Sequence, residues 1–317
     1  MKMKKTMIAA LVAVSAAAVV HAESITQAVP NTPSGASDWN VPATWSNNEA
    51  PSSGNTYSIT NRLNSPDTPA TPQTFAGDSL LLDGSSCNLQ LRCRNGETDA
   101  VTVNLILDGG KVALNKASSP YGLVQGEMSV IGTTTLSCYQ NETQIRSMRV
   151  DSLVSGGATL LLRSSAGYSQ PGDSYIQIGN AANTYSGTWN IDNVRGIFTS
   201  AGATGADSSF VVGSGGYLRI DESFSGNSMS VTNGAEVQVN TNVTYFLTSL
   251  TANGSSVATG SYSVAELNTE TSSTIFSGDG DIVIDTELAA NIPQFIADPI
   301  VKTNATYGVD YAALGQT

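Results

Sequence analysis

Along most of the chain, apolar and polar positions alternate in short runs that are broken by glycine-marked corners. The recurring unit is an apolar residue, two variable positions, Gly, Gly or Ala, one more variable position, and two apolar residues separated by one. It occurs as ILDGGKVAL from Ile106, VSGGATLLL from Val154, VGSGGYLRI from Val212 and VTNGAEVQV from Val231. A looser copy, LLDGSSCNLQL, starts at Leu81, and LTANGSSV from Leu250 is a decayed one. Alternation with period two marks a strand that buries one face, and glycine provides the positive φ or close approach that a corner needs. Leu114, Leu162, Ile220 and Val239, at the last apolar position of each copy, are expected to point inward. Gly157, Gly215 and Gly234 are expected to turn the corners at positive φ.

The spacing of the copies says more than the motif does. Leu81 and Ile106 are 25 residues apart, Val212 and Val231 are 19 apart, and Val231 and Leu250 are 19 apart. The larger gaps, 48 from Ile106 to Val154 and 58 from Val154 to Val212, are close to two and three such intervals. Periods of this length built from strands predict stacked coils, because each coil covers the apolar face of its neighbour. A β-sandwich also has frequent turns, but it gives no reason for one corner sequence to recur. The predicted fold is all-β: a right-handed parallel β-helix, or solenoid, with an N-terminal entry cap.

The first 22 residues follow a different pattern. MKMKK is basic, the 14 residues from Met7 to Val20 form an apolar core interrupted only by Ser15, and VHA ends in the small residue Ala22. This is the pattern of a secretory signal peptide, and no later segment is apolar enough to span a bilayer. Export to the medium or the cell surface, with outer-membrane association, is the expected localisation. Removing the leader removes His21, the only histidine, and leaves 11 basic against 26 acidic residues. A mature chain of net charge near −15 is repelled by nucleic acid and by anionic membranes, and without imidazole it lacks the commonest general base and metal ligand. Cys87 and Cys93 bracket a predicted strand that would hold them about 20 Å apart, so buried free thiols are expected for these two and for Cys138.

NAANTYSGTWNIDNVRGIF, which lies between the Val154 and Val212 copies, resembles the autotransporter-associated β-strand repeats of bacterial surface proteins through Asn183, Tyr185 and Gly187; Trp189 departs from the usual small residue. ATWSNNEAPSSGNTYSI, from Ala43 to Ile59, is similar to the entry segment of such proteins. TGSYSVAELN and FSGDGDIVI, between Thr259 and Ile284, are similar to their closing segment, with Tyr262, Leu267, Gly278 and Gly280 in matching places. Pro293, Phe295, Pro299, Ala305, Gly308 and Tyr311 resemble the opening strands of a cadherin-like or immunoglobulin-like module. The resemblance implies a passenger-like surface β-helix. The expected organisation is a signal peptide over 1–22, a flexible segment over 23–38, the solenoid over 39–286, a linker over 287–292, and the incomplete start of a further module over 293–317.

Candidate chemistry is sparse. In YLRIDE, a strand would place Arg219 and Asp221 on one face and Glu222 at the following bend, a carboxylate and guanidinium cluster usable by a lyase or glycosidase. The competing explanation is a solvent-facing ion pair, which is preferred because a catalytic site needs several convergent groups. Asp279, Asp281 and Asp285 alternate along SGDGDIVID, but they lack the spacing of an EF-hand or of calcium-binding nonapeptide repeats, and a solvated strand end is preferred to a metal site. Trp39, Trp45 and Trp189 are read as core or cap residues before sugar platforms. No cofactor is expected. The expected function is a non-catalytic exported surface-structural or adhesion module whose partner is an extracellular glycan or cell-surface molecule. The alternatives are a carbohydrate-active β-helix enzyme of polysaccharide lyase or glycosidase type and a carbohydrate-binding module.

Overall fold

A computed structural model of the chain describes residues 23–28, 38–67, 71–93, 96–115, 121–141, 144–164, 174–205 and 207–286. The proposed signal peptide, the linker and the further module lie outside the described residues. Strands dominate, and their parallel ladders stack into a β-solenoid of about seven turns.

Three walls can be followed by register. The first is made of Ser24–Thr26, Thr56–Ile59, Ser79–Asp83, Leu105–Asp108, Glu127–Gly132 and Leu153–Gly156, each parallel to the next. The second runs from Arg62–Asn64 through Asn88–Leu91, Lys111–Leu114, Thr134–Asn141, Thr159–Ser164, Thr188–Asp192, Ser209–Val212, Phe224–Val231 and Thr244–Ala252 to Asp281–Ile284. The third contains Gln73–Thr74, Gly96–Thr102, Tyr121–Gln125, Gln144–Val150, Tyr175–Ile178, Arg195–Phe198, Tyr217–Ile220, Glu236–Val239 and Phe276–Gly278. The solenoid begins before Trp39: Ser24–Thr26 forms its first rung, so this part of the 23–38 segment is a paired strand and not a flexible lead-in.

The expected register holds. Leu114, Leu162, Ile220 and Val239 are all buried, as are their partners two positions earlier, Val112, Leu160, Leu218 and Val237. The apolar start of the unit is less regular. Ile106 and Leu81 are half-buried on the outer face, and Leu105, Leu107, Leu80 and Leu82 turn inward in their place. The corners also do not form one column. ILDGGKVAL and VSGGATLLL connect the first wall to the second, whereas VGSGGYLRI and VTNGAEVQV connect the second to the third. The unit encodes a strand–corner–strand bend, and any corner of the coil can use it.

Two glycine expectations are met and one is corrected. Gly215 has φ 74° and Gly234 has φ 82°, but in the Val154 copy the left-handed residue is Gly156, at φ 99°. A Cβ on Gly156 would collide with the carbonyl oxygen of Val130, while one on Gly157 would meet only Ser186 Oγ at 3.6 Å. The corner has slipped by one residue because the close approach to the coil below falls on Gly156. LTANGSSV is not a coil corner either. Thr251 pairs antiparallel with Ser256 around Asn253 and Gly254, at φ 53° and 80°, the backbone of a tight hairpin in which both central residues are left-handed.

The core changes character along the axis. Aliphatic side chains fill the middle coils, and an aromatic column runs from Tyr185 through Trp189, Phe198, Phe210 and Phe224 to Tyr245, with ring centroids 4.5 to 5.5 Å apart. Trp39, Trp45, Tyr57 and Phe75 form a second cluster at the N-terminal end, where Trp45 donates its indole N–H to Trp39 O. All three tryptophans are buried. At the other end, α2 (Val264–Glu270) buries Val264 and Leu267; its start is fixed by a capping box between Ser263 and Glu266. The three cysteines are free and buried.

Candidate functional site

The outer face of the third wall carries Arg219, with Asp221 at its edge. Arg219 Nε lies 2.7 Å from Asp221 Oδ1, and Asp221 also accepts from Asn240 Nδ2 at 3.4 Å on the next coil. Gln238 Nε2 donates to Asn240 Oδ1 at 2.8 Å, and the Tyr217 hydroxyl donates to Gln238 Oε1. Burial works against the charge on Arg219, but hydrogen bonding and attraction to Asp221 outweigh it and hold the guanidinium above its ordinary pKa. Tyr217 also interacts with Arg219, so the network closes on itself: Tyr217, Gln238, Asn240, Asp221 and Arg219 use one another's donors and acceptors.

Glu222 does not join this network. Its carboxylate accepts from Ala201 N at 3.2 Å, at the first turn of α1 (Ala201–Thr204), whose N-cap is Ser200. The sequence cluster of three is thus divided between two structural tasks. A second Arg-x-Asp pair was missed in the sequence: Arg149 Nη2 is 2.7 Å from Asp151 Oδ2 on the same wall. The residues RVD and RID in 149–151 and 219–221 could have shown it. Both pairs join residues two apart on one strand and its end, at two levels of the wall. A half-exposed pair of this kind contributes little, roughly 0–1 kcal/mol.

Asp279 lies in the turn after Phe276–Gly278 and accepts from Thr241 Oγ1 at 3.5 Å, while Asp281 begins the last strand of the second wall. Among the described residues no group of three or more His, Cys, Asp or Glu side chains could hold a metal ion. The three aspartates alternate in sequence, but the turn at Gly278–Gly280 and the strand after it do not gather them.

NTYSGTW is explained by packing. The Asn183 side chain accepts from Val154 N at 2.7 Å and donates to Ala203 O at 2.9 Å, joining the coil below to α1 above. The Tyr185 hydroxyl, buried under the corner, accepts from Leu160 N at 3.1 Å and donates toward Ala158 O and Thr188 O. At Gly187 a Cβ would strike Ala158 O, and Trp189 enters the aromatic column with its indole N–H on Thr204 O at 2.8 Å. Desolvation raises the Tyr185 phenol well above its usual pKa, as it does for Tyr245, whose hydroxyl binds Ile220 N and Gln238 O. These residues are structural fasteners placed where the first wall has no regular strand.

A groove of about 1090 Å³ lies beside the corners between the second and third walls. Arg195, Tyr217 and Glu236 occupy one register position on three successive coils along it. The Arg195 guanidinium lies over the Tyr217 ring, 4.5 Å from its centroid, and the exposed Glu236 carboxylate accepts from Ser277 Oγ at 2.8 Å. With this geometry in hand, comparison with known proteins adds no assignment: no family model, no curated protein and no solved structure matches the chain.

Proposed function

We propose that this chain is a non-catalytic, exported β-solenoid that serves as a surface-structural or adhesion module of a bacterial protein. The observation behind this reading is the closed hydrogen-bond network on the third wall. The cluster singled out for lyase or glycosidase chemistry has Arg219 and Asp221 engaged with each other and their neighbours, and its second carboxylate, Glu222, faces α1. The resemblance to autotransporter-associated β-strand repeats and the leader-like residues 1–22 support export, with a cadherin-like or immunoglobulin-like module following the solenoid.

Purified mature protein should release no products from pectin, alginate or other acidic glycans, with or without calcium. Turnover that disappears in a folded Asp221→Asn variant would promote Arg219, Asp221 and Glu222 to an active site and overturn this reading. N-terminal sequencing of the exported protein tests the leader, with Glu23 as the expected first residue.

A further inference from the structure

We infer that the groove over Arg195, Tyr217 and Glu236 is a binding site for a neutral, hydroxyl-rich chain, an uncharged oligosaccharide. This rests on the reading of an exported non-catalytic module and supplies that module's partner. Parallel rungs are about 4.8 Å apart, so the three register positions span roughly 10 Å, enough for a short oligosaccharide. Tyr217 itself is buried beneath the Arg195 guanidinium, so the surface offered to a ligand is polar. One side is formed by corner backbone. Gly215 and Gly234 have no side chains there, and they keep the corner in its left-handed form at φ 74° and 82°. The opposite side is the segment leaving α2, where Asn268 is fixed to Phe276 by two backbone hydrogen bonds, through Nδ2 at 2.7 Å and Oδ1 at 3.1 Å. Both sides are therefore built and anchored.

The chemistry of the lining selects the ligand class. Arg195 is a donor and Glu236 an acceptor, and the exposed side chains of Asn233, Asn253 and Thr274 supply further donors and acceptors. Hydroxyl groups, which donate and accept, match such a mixture; a polyanion would meet one guanidinium, a carboxylate and a strongly acidic molecule. None of the three tryptophans takes part, since all are buried in the core.

The test is calorimetric titration of the mature protein with neutral hexasaccharides of β-1,4-glucose, β-1,4-N-acetylglucosamine, β-1,4-xylose and α-1,4-glucose, with polygalacturonate as the anionic control. At least one neutral oligomer should bind with Kd below about 1 mM. Asn233→Trp, which fills the groove from an exposed position, should weaken that binding roughly tenfold or more, and Glu236→Gln should weaken it severalfold. Arg149→Ala, on the same wall but outside the groove, should leave it unchanged. Retained melting temperatures keep these comparisons meaningful. Absence of binding by every neutral oligomer, tighter binding of polygalacturonate, or binding indifferent to both groove variants overturns the inference. Chromatography of the same mixtures separates the two readings: cleaved oligomer would defeat the non-catalytic function while leaving binding in the groove intact.

Discussion

At the scale of single residues, the decisive positions are those where one coil touches the next through backbone. Gly156 is the clearest case, because both its φ of 99° and the Val130 carbonyl beneath it exclude a side chain. Gly157, its neighbour in the same Gly-Gly pair, has neither constraint. Gly156→Ala should therefore cost at least ~2 kcal/mol, while Gly157→Ala should change stability by no more than about 0.5 kcal/mol. Urea denaturation of the two variants measures the difference, and equal losses would show that the corner does not depend on the slipped glycine. Asn183 and Tyr185 work by a related logic. A buried side chain there supplies donors and acceptors that a regular strand would have supplied from its backbone.

At the scale of elements, a corner and its outgoing strand act as a unit that templates the next coil. Gly215 N donates to Gly234 O at 2.8 Å, and a Cβ on Gly215 would meet Asn193 Oδ1 of the previous coil at 3.0 Å. The left-handed residues Asn193, Gly215 and Gly234 thus belong to the corners of three successive coils. Gly215→Ala should cost about 1 kcal/mol and Gly215→Val more, since a β-branched side chain is worse at positive φ. Hydrogen exchange should accelerate in Tyr217–Ile220 and also in Glu236–Val239, which pairs with it in register. Protection lost in the first strand alone would mean that the coils are not coupled through this corner.

At the scale of the whole molecule, stability should fall on the alkaline side. Burial pushes the thiols of Cys87, Cys93 and Cys138 up to about 11, 12 and 11, and also raises the phenols of Tyr185 and Tyr245. A group whose folded pKa lies above its unfolded value contributes fully below the unfolded pKa, and that contribution is lost as pH rises toward the folded one. The thiols open the window near pH 9 and the phenols widen it from about pH 10. Unfolding free energy should therefore be nearly flat from pH 7 to 8.5 and drop increasingly steeply from pH 9 to 11. The Cys93→Ala variant should lose its stability less steeply over the same range. A profile that stays flat to pH 11 would contradict the burial of these groups.

The alternation and the recurring Gly-marked bend determined that the chain is all-β, that it coils with a period of about 20 to 25 residues, and which side chains face inward. These are local facts: period-two burial and the conformational freedom of glycine act within a few residues, so they are written in the sequence. The sequence also carried the Arg219–Asp221 pair, because strand geometry fixes which residues share a face. Only the tertiary structure decided which corner each copy turns, that Gly156 carries the left-handed bend, and that the Leu250 copy is a hairpin. It alone revealed that Glu222 turns away to α1 and that Arg195, Tyr217 and Glu236 align along one groove. The physical reason is that contact across stacked coils joins residues about 20 or more positions apart. Their register depends on the exact length of every intervening loop, and a single residue gained or lost moves a side chain to the other face.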